Sequence, residues 1–462
     1  MTPQSFKPAP EALTDSTAAA SYAHALPVIK TLREAGHEAL LVGGGIRDLL
    51  LGRPVQDWDL ATSAPPDDVM GLFPKASPTG LRHGTVTVLA GGTAVEITTF
   101  RIEGPYSDGR HPDWVRMDAG LEDDLARRDF TVNAMAFDPD SGGFFDFHGG
   151  LNDLQARLLR TVGDPDERFQ EDGLRPLRGI RLAVVLNMTI ESETQAALGR
   201  AAEQVAGVAK ERVREELLKL IAAEKPSRGI ELLRATGLLE IVLPELLEGV
   251  GMEQNRYHAY DVYEHTLRTL DYAPRENRVV RLAALLHDVG KPRTRRVVDG
   301  EGTFYNHEHV GADLTREILD RLRFSRAERD EVVHLVAEHM FHYTPEWSDA
   351  AVRRFLGRVG VERVRDLFEL READTRAHGM GEPDSGELEE LTRRIEAVRA
   401  RAEALKVEDL AVDGYEVMKE LGLSPGPQVG RILEALLDQV LEDPSVNEKG
   451  KLLAALHRLP PS

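Results

Sequence analysis

The chain has 462 residues, more than one hydrophobic core usually holds, so several domains are expected. Hydrophobic residues make up 42 % and aromatics only 6 %, a profile of helix-rich chains, and the absence of cysteine excludes disulfides and thiolate metal sites. A net charge of −21 argues against general nucleic-acid binding and leaves RNA to a local basic patch, with Arg157, Arg160, Arg168, Arg175, Arg178 and Arg181 as its candidates.

Met1 to Pro10 hold three prolines and no apolar core, so no signal peptide is expected. No apolar run is long enough to span a bilayer, and a cytoplasmic location without a membrane partner follows as the expectation. Residues 11–35 read as mostly helical and lead into a strand at 38–42. Residues 85–89 and 94–99 read as two strands joined by a hairpin at Gly91-Gly92. Strand-like stretches at 131–138 and 143–147 follow. From Leu151 onward helical periodicity dominates, as in 211–222 and 229–235. Breaks fall at Pro244 with Gly249-Val250-Gly251, at 379–386, and at Leu423-Ser424-Pro425-Gly426-Pro427.

The chemistry begins at Gly43-Gly44-Gly45-Ile46-Arg47-Asp48 and Asp57-Trp58-Asp59-Leu60. Aspartates at i and i+2 of an extended segment point to one face. Such a pair suits Mg²⁺, which keeps open positions for phosphates. A glycine run lets backbone N–H groups approach a triphosphate, and Gly44, Gly45 and Arg47 are candidates for that contact. A lone Asp-x-Asp would be a solvated turn; the Gly-Gly-x-x-Arg-Asp context makes it a nucleotidyl-transfer site. Glu96, a charge in the apolar alternating strand Val95–Phe100, is the candidate third carboxylate. With Asp57 and Asp59 it could hold two Mg²⁺, one for the attacking hydroxyl and one for the leaving pyrophosphate.

Arg127-Arg128-Asp129 precedes Asn133 in the next segment. Asp129 could accept from a ribose hydroxyl, or with Arg128 form a surface ion pair. In Arg168-Phe169-Gln170-Glu171-Asp172-Gly173-Leu174-Arg175, Asp172 and Arg175 are three apart and expected on one helix face. A carboxylate accepts from the exocyclic amine of cytosine or adenine, and a guanidinium donates to the neighbouring ring nitrogen. On spacing alone a surface ion pair is equally open. Asn133, Arg178 and Arg181 complete the nucleotide-binding candidates.

These motifs, in this order, resemble the bacterial (class II) tRNA nucleotidyltransferases, the CCA-adding family, along the whole chain. The resemblance implies an α+β polymerase-β-like head followed by an all-α neck, body, HD domain and tail. The expected bounds are 1–140 for the head, 141–250 for the base-recognising neck and body, 251–381 for the HD domain and 382–462 for a tRNA-binding tail. It implies that Asp57, Asp59 and Glu96 serve Mg²⁺, that Arg128 and Asp129 serve the sugar, and that Asp172 and Arg175 template the base. The partners implied are tRNA, ATP and CTP.

Residues 102–126 resemble the family's flexible loop, tied to the switch from C to A addition. Its full length argues against a CC-only enzyme, although His111 stands where many members carry arginine. The form Gly80-Leu81-Arg82-His83-Gly84-Thr85-Val86-Thr87-Val88 resembles the tRNA-specific members more than the related poly(A) polymerases. An A-adding specialist remains open.

Downstream, His265, His287-Asp288 and Asp374 match the H…HD…D pattern of HD phosphohydrolases. Imidazole with carboxylate is a divalent-metal ligand set. His307, His309 and His339 lie on following elements, and His307 with His339 could hold a second metal or a phosphate. Metal-dependent hydrolysis of a phosphoester is one expectation. An HD-shaped structural module is the other, and a hydrolase with a merely RNA-gripping head is the competitor from another class. Near the C-terminus, Asp413-Gly414-Tyr415 and residues 422–431 are similar to the family tail. Pro425-Gly426-Pro427 before a helix could hold an RNA phosphate or be only a tight turn.

Overall fold

The computed structural model describes the chain except for residues 1–5, 56, 82–83, 107–108, 110–111, 255–257, 299–300, 380–384, 402–404 and 459–462. Arg82, His83 and His111 of the motifs above lie outside the described residues. The chain divides into two compact units, Met1–Pro244 and Glu245–Ser462.

The first unit opens on a sheet built from β1 (Phe6–Pro8), β2 (Ala39–Val42), β3 (Trp58–Thr62), β4 (Ala76–Gly80), β5 (Thr85–Ala90), β6 (Thr93–Thr99), β9 (Ala136–Asp138) and β10 (Gly143–Phe145); β7 (Ile102–Glu103) and β8 (Val115–Arg116) form a separate small hairpin. The order is β1-β10-β9-β2-β3-β6-β5-β4. Only β3 and β6 run parallel, and the other pairs are antiparallel. Ala39-Leu40-Leu41-Val42 is buried on both faces, as a central strand must be. The β5–β6 turn uses Gly91 and Gly92, both at positive φ (59° and 88°), which matches the twist of a two-residue hairpin. Leu40, Val42, Ala61, Phe100, Leu121, Leu125, Ala134 and Phe145 form the core on one side of this sheet.

The expected strand at 131–138 is shorter. Thr131–Asn133 is a 3₁₀ turn, with Ala134 N–H donating to Thr131 O, and the strand begins at Ala136. The Asn133 side chain bonds Asp129 and Arg47. Helices dominate the rest of the unit. Arg175–Val185 buries Leu177, Ile180, Leu182 and Ala183. Its Gly179 admits the Phe130 ring to where a Cβ would stand only 2.9 Å from it.

In the second unit, Val262–Tyr272, Arg278–Leu286, His307–Arg321, Arg326–Glu338 and Val364–Ala377 pack as a bundle. Residues 280–286 are buried all round, so Arg278–Leu286 is the central helix. A further cluster of Val417, Val429, Ile432, Leu436, Val440 and Leu452 unites the last helices.

Gly290 shows how tightly the bundle closes. A Cβ there would lie 2.2 Å from His307 O and 2.6 Å from Gly311 N, both backbone. Gly290→Ala is therefore expected to lower stability by about 1–3 kcal/mol or more. Gly430 is exposed on the helix Pro427–Glu442 with nothing near its missing Cβ, so Gly430→Ala is expected to raise stability by about 0.4–1 kcal/mol. Urea midpoints that moved the same way in both variants would contradict this.

Candidate functional site

The head offers a cleft of about 610 Å³ lined by Gly43, Gly44, Asp59, Arg128, Asp129, Asp172, Arg175, Arg178, Arg181 and Arg212 among others. Sheet register places Asp59 in that lining. Asp59 lies directly opposite Glu96 on the parallel strands β3 and β6, so both carboxylates leave the sheet on one face. Asp57, exposed, stands two residues before Asp59. Burial raises the Asp59 carboxyl pKa, Asp57 adds to that and Arg128 opposes it; the net shift is upward. Glu96 is also raised, by desolvation first and then by Asp59. The arginines near these carboxylates, Arg128 and Arg178 for Asp59 and Arg101 for Glu96, compensate them only in part, and the oxygen-only donor set fits a hard divalent cation.

Gly43 turns β2 into the helix Gly44–Leu50 at φ 78°. A Cβ there would meet Arg128 Nη1 at 2.9 Å and Asp59 Oδ2 at 3.4 Å. At Gly45 it would meet the Trp58 ring at 2.8 Å. The glycines thus let helix and strand touch beside the carboxylates.

Behind them runs a polar network. Arg128 Nη2 donates to Asp124 Oδ2 (3.2 Å), and Asp124 also takes Arg127. Asp129 accepts from Phe130 N–H (2.8 Å) and Asn133 Nδ2 (3.0 Å) and pairs with Arg178 Nε (2.7 Å). Burial works to raise the Asp129 pKa, but Arg178, Asn133 and Arg175 outweigh it, and the net shift is downward. Arg47 donates to Asn133 Oδ1 at 2.5 Å and pairs with Asp48. Arg181 donates to Glu216 Oε2 at 2.5 Å.

Asp172 and Arg175 both line the cleft, but they do not share a helix face. Asp172 ends the helix Pro165–Glu171 in extended conformation (φ −141°, ψ 109°), and Arg175 begins the next helix. Gly173 makes the break: its backbone presses on Gln204 O, where a Cβ would be 2.3 Å away. Asp172 also accepts from Leu174 N–H (3.0 Å), an Asx turn that leads into the second helix. Nor do the two pair with each other. Arg212 grips Asp172 with two bonds of 3.0 and 2.7 Å, while Arg175 pairs with Glu171 and donates to Arg168 O (3.1 Å) and Arg127 O (3.3 Å). Gly109, from the 102–126 segment, accepts from Gly173 N–H at 3.3 Å. Arg212 had no local signal in the sequence, being 40 residues from its partner. Glu171 was adjacent to the motif and i−4 from Arg175, a legible pairing.

The second unit gathers His265, His287, Asp288 and Asp374 as the sequence pattern implied. His265 Nε2 is 3.3 Å from His287 Nε2, 2.9 Å from Asp374 Oδ1 and 3.5 Å from Asp288 Oδ2. His287 Nε2 is 3.3 Å from Asp288 Oδ2. Donors around one cation at ~2.0–2.1 Å stand roughly 3–3.4 Å apart, so the set fits a divalent metal. Asp288 presents its other oxygen to His307 (3.4 Å) and His339 (3.9 Å), whose Nε2 atoms are 3.3 Å apart. Asp288 Oδ2 is buried without a hydrogen bond of good geometry, although Lys291 Nζ lies 2.7 Å away. Burial opposes the charge on His287, yet Asp288 and Asp374 push its pKa up to about 10. Burial, with His287 and His307, pushes His339 down to about 3. His309 stands apart, exposed beside Glu308. His258 and His378 join the cluster unannounced by the motif.

Three family models match the chain: the Poly A polymerase head domain over 39–160, the probable RNA and SrmB-binding site of polymerase A over 187–249, and the HD domain over 258–378. A CCA-adding enzyme of Levilactobacillus brevis is 34 % identical, the match covering 94 % of this chain and 96 % of that protein. An A-adding tRNA nucleotidyltransferase of Deinococcus radiodurans is 38 % identical, over 87 % and 91 %. The Bacillus stearothermophilus CCA-adding enzyme solved with CTP superposes with a TM-score of 0.71 at 30 % identity, over 95 % and 97 %.

The Asp129–Arg178 pair has a pH signature. Because the folded-state pKa of Asp129 is depressed, its stabilisation is present above the unfolded value of about 3.9 and is lost as pH falls through the folded value. Arg178→Ala should therefore destabilise the chain at pH 7, and the gap from the parent should shrink below about pH 4. Urea unfolding at both pH values checks this; a gap that did not depend on pH would refute it.

Proposed function

The chain belongs to the family of tRNA nucleotidyltransferases that contains the CCA-adding and A-adding enzymes, and on that footing we propose that it extends the tRNA 3′ end with C and A from CTP and ATP, releasing pyrophosphate. The observation that carries this is the Asp59–Glu96 register pair, with Asp57 two residues before Asp59 and Asp59 itself lining an arginine-rich cleft. Asp57, Asp59 and Glu96 would hold Mg²⁺. Two such ions would acidify the attacking hydroxyl and neutralise charge on the pyrophosphate. The Gly43-Gly44-Gly45 turn and Arg47 line the triphosphate side. Arg128 offers donors there, and Asp129 has acceptor capacity left for a ribose hydroxyl.

Asp172 and Arg175 would read the base, accepting from the amine of C or A and donating to the adjacent ring nitrogen. U and G present the opposite groups. Arg212 and Glu171 hold the two readers meanwhile, and Arg178 and Arg181 keep the rim positive. The contact from Gly109 to Gly173 is a route by which the 102–126 loop would bias the readers. A second reading, addition of the terminal A alone, is favoured by the 38 % identity to the A-adding relative.

In the HD unit, His265, His287, Asp288 and Asp374 would hold a divalent cation, with His307 and His339 able to serve a second. Such a cation would activate water for phosphoester hydrolysis. Lys291 and Arg371, which line the adjoining cavity, supply positive charge for a phosphate.

Incorporation on tRNA transcripts ending at the discriminator base, at C and at CC separates the readings. Three added residues on the first, with both nucleotides, mark a complete CCA-adding enzyme. Extension of only the CC-ended transcript, with ATP alone, marks the A-adding specialist. Asp57→Ala with Asp59→Ala should abolish incorporation and spare phosphatase activity, and His287→Ala with Asp288→Ala should do the reverse. Incorporation surviving the first pair would overturn the metal assignment.

A further inference from the structure

His258 and His378 lie outside the H…HD…D pattern, yet the fold builds them against it. Ala259 N–H donates to His378 O at 3.0 Å. Gly379, at φ 72°, brings Tyr260 and Ala259 to where a Cβ would be 2.6 and 3.1 Å from them. The two segments are thus clasped, and their imidazoles meet. Ring centroids of His258, His265 and His378 stand 5.1, 4.4 and 5.3 Å apart, and their ligand atoms all lie within 4.8 Å of one another. A ring bound to a cation at ~2.0–2.1 Å has its centroid roughly 3.2 Å away, so rings sharing a cation stand roughly 4.5–5.2 Å apart. Asp374 Oδ1 adds a carboxylate, 2.9 Å from His265 Nε2 and 3.4 Å from His378 Nε2.

The three donor groups form a row. The outer group is His258, His265 and His378; the middle is His265, His287 and Asp288; the last is Asp288, His307 and His339. The middle and last groups share a carboxylate, and Asp288 turns one oxygen to each, so both can be filled together. The outer and middle groups share an imidazole. A neutral imidazole has a single lone-pair nitrogen, so His265 can serve one cation at a time. Exposure gives the row a direction. His258 and His378 are half-buried at a cavity of about 520 Å³, which the buried Asp374, Asp288, His307 and His339 also line, while His265 and His287 are buried behind it.

We propose that His258 and His378, with His265 and Asp374, form an outer position for a divalent transition-metal cation, held in exchange with the middle position and used to load it. This presupposes the HD cluster as a metal centre. The nitrogen-rich donor set favours Co²⁺, Ni²⁺ or Zn²⁺ over Mg²⁺.

The test is Co²⁺ uptake by the full chain in excess Mg²⁺, which fills oxygen-only sites, read by visible absorption and by bound metal after desalting. His258→Ala/His378→Ala should reach the parent's final Co²⁺ content, but at least about tenfold more slowly. His287→Gln/Asp288→Asn should keep a Co²⁺ with a nitrogen-ligand spectrum, and adding His258→Ala/His378→Ala should remove it. Loading of the His258/His378 variant at the parent rate overturns the outer position, whether or not the His287/Asp288 variant folds. A lower final content in the His258/His378 variant overturns exchange, making both residues permanent ligands. No Co²⁺ uptake by the parent overturns instead the underlying assignment of a metal centre.

Discussion

Setting Glu96 beside Asp59 on neighbouring parallel strands forces carboxylate against carboxylate, and the head is organised round that repulsion. Arg128 approaches Asp59 from the side only because Gly43 has no side chain there. Arg128 is held in turn by Asp124, and Asp124 by Arg127. The positive charge supplied this way is incomplete, and both carboxyl pKa values stay above their usual range. A site left short of positive charge in its resting state attracts a multivalent cation without having to break a strong internal pair first.

The second unit meets the same problem with different ligands. Its two carboxylates are buried, and a proton on His287 and the ammonium of Lys291 stand against them. Hard oxygen donors in the head and mixed nitrogen–oxygen donors in the HD cluster select different metals by chemistry alone. Were both sets to hold metals, that difference in donors would keep them from competing for the same ion.

The parts of the sites that were legible in the sequence are those carried by short spacings. Asp59 stands on a strand that repeats every two residues, with Asp57 just before its start, and the Gly91-Gly92 hairpin announces itself by its glycines. The HD residues were legible as a pattern because histidine and aspartate are rarely buried together. Asp172 and Arg175 misled, since a spacing of three suits a helix only where the helix continues, and Gly173 ends it against the Gln204 carbonyl. The expected strand at 131–138 is shorter because Thr131–Asn133 closes a 3₁₀ turn, with Ala134 N–H donating to Thr131 O, and ladder pairing starts only at Ala136. Arg212 and the His258–His378 contact arise from packing between distant segments, and no local period encodes them.

The bidentate clasp of Arg212 on Asp172, with Glu171 on Arg175, means that the two groups proposed to read the base already have partners of their own. A matching base would exchange one bonded arrangement for another of similar strength, so correct recognition would release little free energy. A mismatched base would disturb two charge-assisted pairs and replace them with nothing. Selectivity of that kind comes from rejection, and it lets a correct nucleotide leave easily. Weak retention of the right base suits a pocket that must serve more than one nucleotide in succession.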